Sequence, residues 1–288
     1  MTAVDAASAR ELLPRLRHLG PRLPPTAARI AKVIAERPEE VIRMSITELA
    51  EHANASEGSI VGLCRRFGVS GFQDLKIVLA RGLVDPVKTI QEDLHEDDDA
   101  ATVADCVFAA HAASLTDTRR MLDLHALATA VRIIRQARRI EIYGIGSAAP
   151  VAEDLAYRLL QLGFDARPVI DSHVQSVSAT MTDARVATVT VSHSGSTIET
   201  VLATRLARAA GARTIGITRV GKSPLQRHCE VVLHTAAAET RYRPEAMSSR
   251  LAQLAIVDTL VSCCALSDPK KSAKNLEKSL RAIAAKRF

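Results

Sequence analysis

The 288-residue chain has no tryptophan, and five Phe with three Tyr hold its aromatic content to 3%. So few flat side chains exclude a protein that reads single-stranded nucleic acid by stacking bases. The five cysteines, Cys64, Cys106, Cys229, Cys263 and Cys264, form no C-x-x-C pair and have no His at zinc-ligand spacing. They read as reduced core residues, which excludes a disulfide framework and a structural zinc site. No uninterrupted apolar run approaches the roughly 18 residues of a membrane span. The segment Met1 to Glu11 mixes Asp5, Arg10 and Glu11 with short apolar residues and has no signal-peptide core. These absences predict a cytoplasmic chain, neither exported nor inserted in a membrane. The nucleotide-binding pattern G-x-x-x-x-G-K-[ST] is missing as well.

What is present is globular. Hydrophobic residues make up 47% and charged residues 24%, and a chain of this length suggests two domains. The net charge of +6 would hint at nucleic acid if it were spread over a surface. It is not. The stretch Pro269 to Phe288 carries Lys270, Lys271, Lys274, Lys278, Arg281, Lys286 and Arg287 against Glu277 alone, and so accounts for the whole excess. Residues 1–80 hold eleven basic and nine acidic side chains, too even a balance to argue DNA binding from charge. From Val84 to Ala100, seven Asp and Glu face only Lys88, the composition of a solvated linker. The chain is therefore divided into residues 1–82, an acidic linker 83–102, a second domain 103–268 and a basic tail 269–288. Within the tail, Leu276, Leu280 and Ile283 share a helical face and predict an amphipathic helix over Ser272 to Lys286.

Before the linker, apolar residues recur at three- and four-residue spacing, as in Ala27, Ile30, Ala31 and Ile34, and no stretch alternates with period two. This predicts an all-α domain. Ser45-Ile-Thr-Glu48 fits a capping box that opens one helix. That helix ends near Ala53-Asn54-Ala55, and Ser56 caps a second one stopped by Gly68. Two short helices joined by a tight turn form either a helix hairpin or a helix-turn-helix. In the second helix Ile60, Leu63, Cys64 and Phe67 share one face, leaving Gly58, Ser59, Gly62, Arg65 and Arg66 facing outward.

The run from Met44 to Lys76, MSITELAEHANASEGSIVGLCRRFGVSGFQDLK, together with LPPTAARIAKVIAERPEE from Leu23 to Glu40, resembles the DNA-binding domain of RpiR-type bacterial transcriptional regulators. The resemblance implies a helix-turn-helix whose contacts to double-stranded operator DNA come from Ser45, Thr47, Ser56, Ser59, Gly62, Arg65 and Arg66. One departure stands out: the family usually shows Arg where this chain has Gly62, and commonly Ala at Gly58. Two side chains are thus missing from the reading face, and each glycine costs the helix about 0.5–1 kcal/mol relative to Ala.

After the linker, a helical segment around Val103 to Ala137 leads to short apolar runs at Ile140–Tyr143, Arg167–Ile170, Val186–Val191, Thr214–Thr218 and Val231–Leu233. Helical patterns fill the gaps, which predicts a doubly wound α/β domain with a parallel sheet of about five strands. Ser192-His-Ser-Gly-Ser-Thr-Ile-Glu199 lies between a strand and an amphipathic helix, an anion site in which hydroxyls and helix N-terminal amides gather without a Lys. Gly144-Ile-Gly-Ser147 occupies the same sheet edge after the first strand.

YGIGS, VSHSGSTIET and EAMSSRLAQLAIVD together resemble the SIS domain, which binds phosphosugars, over about Ala126 to Ala265. The resemblance implies that Ser147, Ser192, Ser194 and Thr197 hold a phosphate, with Gly195 allowing close backbone approach. It assigns sugar contacts to His193, Glu245 and Ser248, with His193 a structural or backbone-donor position and not a catalytic base. The pairing of the two domains itself resembles RpiR-type regulators, which act on carbohydrate genes, respond to phosphosugars and assemble as homodimers or homotetramers. A competing reading is a phosphosugar isomerase with an accessory helical domain. Such isomerases carry a Glu-x-Lys-His element before the last helix, where this chain has Ala246-Met-Ser-Ser-Arg250 and retains only Glu239 and Glu245 as possible bases. The sequence therefore points to a regulator with no catalytic residue, no metal and no cofactor beyond a phosphosugar effector.

Overall fold

A computed structural model describes residues 12–13, 15–17, 19–20, 23–82, 98–236 and 247–284. The chain forms two compact units, one of Met1–Glu92 with Gly221–Ser223 and one of Asp93–Val220 with Pro224–Phe288.

In the first unit the described elements are helical. Helix α1 (Pro25–Glu36) opens on a proline, whose missing amide is no loss at a helix start, and buries Ile30, Ala31 and Ile34. A short α2 (Pro38–Arg43) follows. The capping box at Ser45 is present at the head of α3 (Ile46–His52): Ser45 Oγ accepts the Glu48 amide at 3.1 Å, and Glu48 Oε2 accepts the Ser45 amide at 2.6 Å. Asn54, at φ 45°, turns the chain into α4 (Glu57–Arg66), which Ser56 caps by accepting the Ser59 amide at 3.2 Å. Gly68, at φ 80°, ends that helix before α5 (Phe72–Gly82). Leu12, Leu16, Ile30, Ile34, Leu49, Ile60 and Leu79 fill the core, each fully buried aliphatic side chain contributing about 1.5–3 kcal/mol.

The second unit is the α/β domain. Helices α6 (Ala100–Met121) and α7 (Leu124–Gln136) precede β1 (Arg139–Tyr143), α8 (Ala149–Gln161), β2 (Ala166–Val169), α9 (Ser172–Thr180) and β3 (Val186–Val191). Then come α10 (Ile198–Ala209), β4 (Arg213–Arg219), β5 (Val231–Thr235), α11 (Met247–Leu266) and α12 (Pro269–Ala284). All strand pairs are parallel, in the order β2-β1-β3-β4-β5. Every residue of the central β3 is buried, as expected for a strand covered on both faces by crossover helices. The sheet face of Ile140, Ile142, Val189, Val191, Ile215 and Ile217 packs with Val151, Leu155 and Leu159 of α8 and Ile256, Val257 and Leu260 of α11.

Four details differ from the sequence reading. The helix expected over Val103 to Ala137 is two helices, because Leu122 and Asp123 take extended backbone angles and the Asp123 carboxylate caps α7 through the His125 and Ala126 amides. Helix α6 already begins at Ala100, inside the stretch read as linker, because Asp99 caps it by accepting the Thr102 amide at 2.8 Å. The tail helix starts at Pro269, not Ser272, and its Leu280 is 61% exposed although Leu276 packs on the core. Finally, α11 contains an 18-residue window, Ser249–Leu266, of mean hydropathy 1.4, long and apolar enough to cross a membrane by length and composition alone. Its inner face is a core face, with Ala252, Ile256, Val257 and Leu260 buried against the sheet domain.

Candidate functional site

The strand order reverses between β1 and β3, which lie side by side with Tyr143 paired to Thr190. Open α/β sheets bind ligands in the crevice outside the strand carboxyl ends at such a switch point. Two serine loops leave the sheet there. From β1 the chain enters Gly144-Ile145-Gly146-Ser147, with Gly146 at φ 60° and Ser147 exposed in a single 3-10 turn that runs into α8. Gly144 admits no larger residue without movement, since an added Cβ would lie 2.7 Å from the Ala148 carbonyl oxygen and 3.0 Å from the Ala152 Cβ.

From β3 the chain enters Ser192 to Thr197. Ser192 is buried and its amide donates to the Ile217 carbonyl at 3.0 Å, extending the β3–β4 pairing by one residue. The His193 carbonyl accepts both the Thr218 hydroxyl and the Arg219 amide at 3.0 Å. Gly195, at φ 60°, closes a tight turn through its amide to the Ser192 carbonyl at 3.2 Å, and its own carbonyl accepts the Leu225 amide at 3.0 Å. His193, Ser194, Ser196 and Thr197 are partly exposed. Thr197 is the N-cap residue of α10 yet its side chain makes no capping bond, so the first-turn amides of a 12-residue helix are left without a side-chain cap. Those amides carry the positive end of the helix dipole.

Beneath the loop a line of threonines fixes its base. The Thr200 hydroxyl donates to the Thr197 carbonyl at 3.1 Å, Thr204 donates to the Thr200 carbonyl at 2.7 Å, and Thr190 of β3 meets the Thr204 hydroxyl at 2.7 Å. Glu239 and Glu245, and the side chain of Ser248, lie outside the described residues.

The residues assigned to DNA divide into two groups. Gly62, Arg65 and Arg66 are exposed on α4, with Ser59 partly so and Ser56 at its head. Beyond the backbone of α4 itself, nothing lies within 4 Å of the place a Gly62 methyl group would take, so the gap in this face is open space. Ser45 and Thr47 are engaged inside the helical unit instead: Ser45 by its capping box, Thr47 by donating to Glu57 Oε1 at 2.6 Å.

The comparisons with known proteins follow the same division. The helix-turn-helix domain of the rpiR family matches residues 10–85, and the SIS domain matches residues 133–263. The HTH-type transcriptional regulator HexR of Pseudomonas aeruginosa is 33% identical over 236 residues, covering 81% of this chain and 82% of that protein. HexR of Escherichia coli is 31% identical over 262 residues, covering 90% of each. The chain belongs to the RpiR family of helix-turn-helix transcriptional regulators. Among solved structures, the Vibrio vulnificus NanR protein complexed with ManNAc-6P matches with a TM-score of 0.83 at 29% identity, covering 96% of this chain and 99% of that one.

Within this RpiR-type chain the structure adds residues that sequence reasoning passed over. Arg29 of α1 reaches the turn between α3 and α4, its Nε donating to the Ala53 carbonyl at 3.1 Å and its Nη2 to the Asn54 carbonyl at 2.8 Å. It places a cation at the carbonyl end of α3, where the dipole favours one. In the SIS domain, Asp171 caps α9 at the C-terminal end of β2 through the Val174 amide at 2.9 Å, which sets His173 exposed on the first turn beside the crevice edge. Gln175, fully buried, holds that turn by donating to the Val169 carbonyl at 2.7 Å and the Gly144 carbonyl at 3.3 Å. The sequence signal was available: a polar cap and a His directly after an expected strand.

The other buried ionisable cluster is structural. Glu141 in β1 is fully buried and accepts from the Arg167 guanidinium at 2.6 Å, the Tyr143 hydroxyl at 2.9 Å and the Ser178 hydroxyl at 2.8 Å, with Arg139 at 3.1 Å. Burial, then the neighbouring Glu141 charge, pushes the Tyr143 phenol up. A carboxylate so enclosed and so fully bonded fastens α9 and β2 to the sheet and offers no free lone pair for proton transfer. Among the described residues no group of three His, Cys, Asp or Glu side chains gathers as a metal site.

Proposed function

We propose that this regulator binds operator DNA through α4 and is controlled by a phosphosugar held between the Ser147 loop and the Ser192–Thr197 loop. The observation that carries the reading is the convergence of the two loops at the switch point between β1 and β3, with the α10 amides uncapped by a side chain. Ser147, Ser192, Ser194 and Thr197 offer hydroxyls to the phosphate oxygens, and the helix N-terminus supplies the favourable field. Gly195 lets the phosphate approach the backbone. His193, Glu245 and Ser248 are the proposed sugar contacts, with His173, exposed at the start of α9, added to that set. The likeness to NanR, solved with ManNAc-6P, supports the ligand class.

On the DNA side, Ser59, Arg65 and Arg66 meet the duplex, Ser56 sits at the head of the reading helix, and Ser45 and Thr47 contribute by fixing α3 against it. The chain works in the cytoplasm as a homodimer or homotetramer, matching the paired half-sites that helix-turn-helix proteins read. It controls carbohydrate genes and performs no catalysis. The absence of the Glu-x-Lys-His element and the saturated Glu141 favour this over isomerisation.

The test is a thermal-shift panel of phosphosugars, ManNAc-6P among them, on the full chain. A ligand at 100 times its Kd adds about 2.7 kcal/mol to the stability of the unit that holds it. Ser194→Ala weakens that ligand by about 10- to 150-fold, the worth of one hydrogen bond to a charged group. A panel in which nothing shifts, or in which the shift survives replacement of both Ser147 and Ser194, overturns the assignment.

A further inference from the structure

The arginines of the α/β domain gather at the end of the sheet away from the serine loops. Arg138 and Arg185 each stand one residue ahead of a strand, β1 and β3, and the Arg138 amide donates to the Arg185 carbonyl at 2.7 Å. Arg213 opens β4, the neighbour of β3 in the sheet. Adjacent strands lie about 4.8 Å apart, so three consecutive strand starts present a row of three arginines. Helices that return to this edge extend the row. Arg132 and Arg135 are exposed in the last turns of α7, and Arg205 and Arg208 are exposed in the last turns of α10. The turn before β5 carries exposed Arg227 beside His228, and the Thr214 hydroxyl of β4 fastens that turn by donating to the His228 carbonyl at 2.8 Å.

Acidic groups answer only part of this charge. Asp183 pairs with Arg185 at 2.8 Å, Glu230 pairs with Arg213, and Asp165 stands exposed ahead of β2. Helix C-termini favour cations, which accounts for the arginines of α7 and α10 but not for those at the strand starts. The local field stays positive: burial, then Arg205, Arg208 and Arg227, hold the His228 imidazole below its usual range. The basic tail lies at the same end of the domain. Asn275 of α12 donates to the Leu162 carbonyl at 2.8 Å, at the close of α8 and just ahead of β2. Lys270, Lys271, Lys274 and Lys278 of α12 are exposed, Asp268 caps the helix through the Lys271 amide, and Glu277 pairs with Arg281.

We propose that this amino-terminal edge of the sheet, with the lysines of α12, is a second contact surface for double-stranded DNA, one that holds the phosphate backbone without reading sequence. The inference rests on the DNA binding of the proposed function for its choice of polyanion. Cations strung along three strand starts and two helix ends suit a repeating anion, and a duplex supplies one charge per about 1.7 Å of its axis. The arginine fork matches phosphate geometry, and a row of such groups needs no base edge. The surface lies at the opposite end of the strands from the serine loops, so backbone contact and sugar binding do not exclude each other.

Fluorescence anisotropy of the full chain on a random-sequence duplex, across a salt series, tests the surface. R205A/R208A lowers the salt slope by about two and weakens binding about tenfold at physiological salt, with an unchanged unfolding midpoint and unchanged phosphosugar affinity. The same loss is expected in an R65A/R66A background, where the proposed reading helix is disarmed. If R65A/R66A alone changes nothing while R205A/R208A does, the reading helix is misassigned and this surface stands. A second readout is the His228 imidazole followed by NMR: bound phosphates offset the arginine field and raise its pKa. An unchanged salt slope in R205A/R208A, or a His228 titration that ignores bound duplex, overturns the proposal. Displacement of the duplex by polyglutamate at equal charge concentration also overturns it, and would identify an acidic polypeptide as the partner.

Discussion

The Thr47 hydroxyl donates to the Glu57 carboxylate at 2.6 Å, joining the first helix of the helix-turn-helix to the first residue of the second. The bond sets the angle at which α4 leaves the turn, and Arg29 braces the same turn from α1. Thr47→Val keeps the shape and removes the donor. It lowers stability by about 1 kcal/mol, within the range for one intramolecular hydrogen bond. Urea unfolding of the full chain, followed through the helical signal, measures this; an unchanged midpoint would show that the bond contributes nothing.

Gly62 is the second point of leverage. It is exposed inside α4, and beyond the backbone of that helix nothing lies within 4 Å of an added Cβ. Gly62→Ala therefore stabilises by about 0.5–1 kcal/mol. Gly62→Arg keeps most of that gain and adds a cation to the proposed reading face, tightening binding to a duplex selected from a random pool by the unsubstituted protein and steepening the salt dependence by about one unit of slope. Fluorescence anisotropy across a salt series decides it. A slope and affinity equal to those of the unsubstituted protein would mean that this face does not meet DNA.

Burial pushes the thiols of Cys64 up to about 11, and of Cys229 and Cys264 to about 12. A raised folded-state pKa keeps these groups as thiols, so roughly one in a thousand or fewer is thiolate at pH 8. Cys106 and Cys263, only partly buried, alkylate first. Mass spectrometry after iodoacetamide treatment at pH 8 resolves two fast and three slow sites. The slow sites gain about tenfold in rate per pH unit while the fold holds. Fast modification of Cys64 would contradict the closed helical core.

At Gly144 the account is steric. A methyl group there meets the Ala148 carbonyl oxygen at 2.7 Å, backbone that cannot rotate away. Gly144→Ala costs about 1–3 kcal/mol through overpacking. It also displaces the Ser147 turn, so sugar-phosphate affinity falls with it. Calorimetry on the folded variant separates the two effects. Retained affinity would take the Ser147 turn out of the binding site.

Much of this was legible in the chain itself, and the exceptions share a cause. The strand positions and the Ser45 and Ser56 caps follow from local patterns: apolar β-branched runs between helical periods, and hydroxyls placed one residue before a helix. The serine loops were legible because a strand, a glycine and a helix start adjoin in sequence. Arg29, Gln175 and the Glu141 cluster were not, since each joins segments separated by 24 or more residues, as in Arg29 to Ala53 or Gln175 to Gly144. The segment from Val103 to Ala137 was read as one helix, and the Asp123 carboxylate divides it by capping α7.

The central claim is that the serine-loop site and the DNA-reading helix act on one equilibrium. Linkage makes this measurable: if the phosphosugar alters DNA affinity, DNA alters phosphosugar affinity by the same factor, about 5- to 150-fold for a coupling of 1–3 kcal/mol. The direct measurement is the calorimetric affinity of the tightest-binding phosphosugar for the full chain, free and saturated with the selected duplex, with the recovered sugar analysed for isomerisation. The account predicts affinities that differ within that range and a sugar recovered unchanged. Equal affinities with measurable product would contradict it and identify an enzyme.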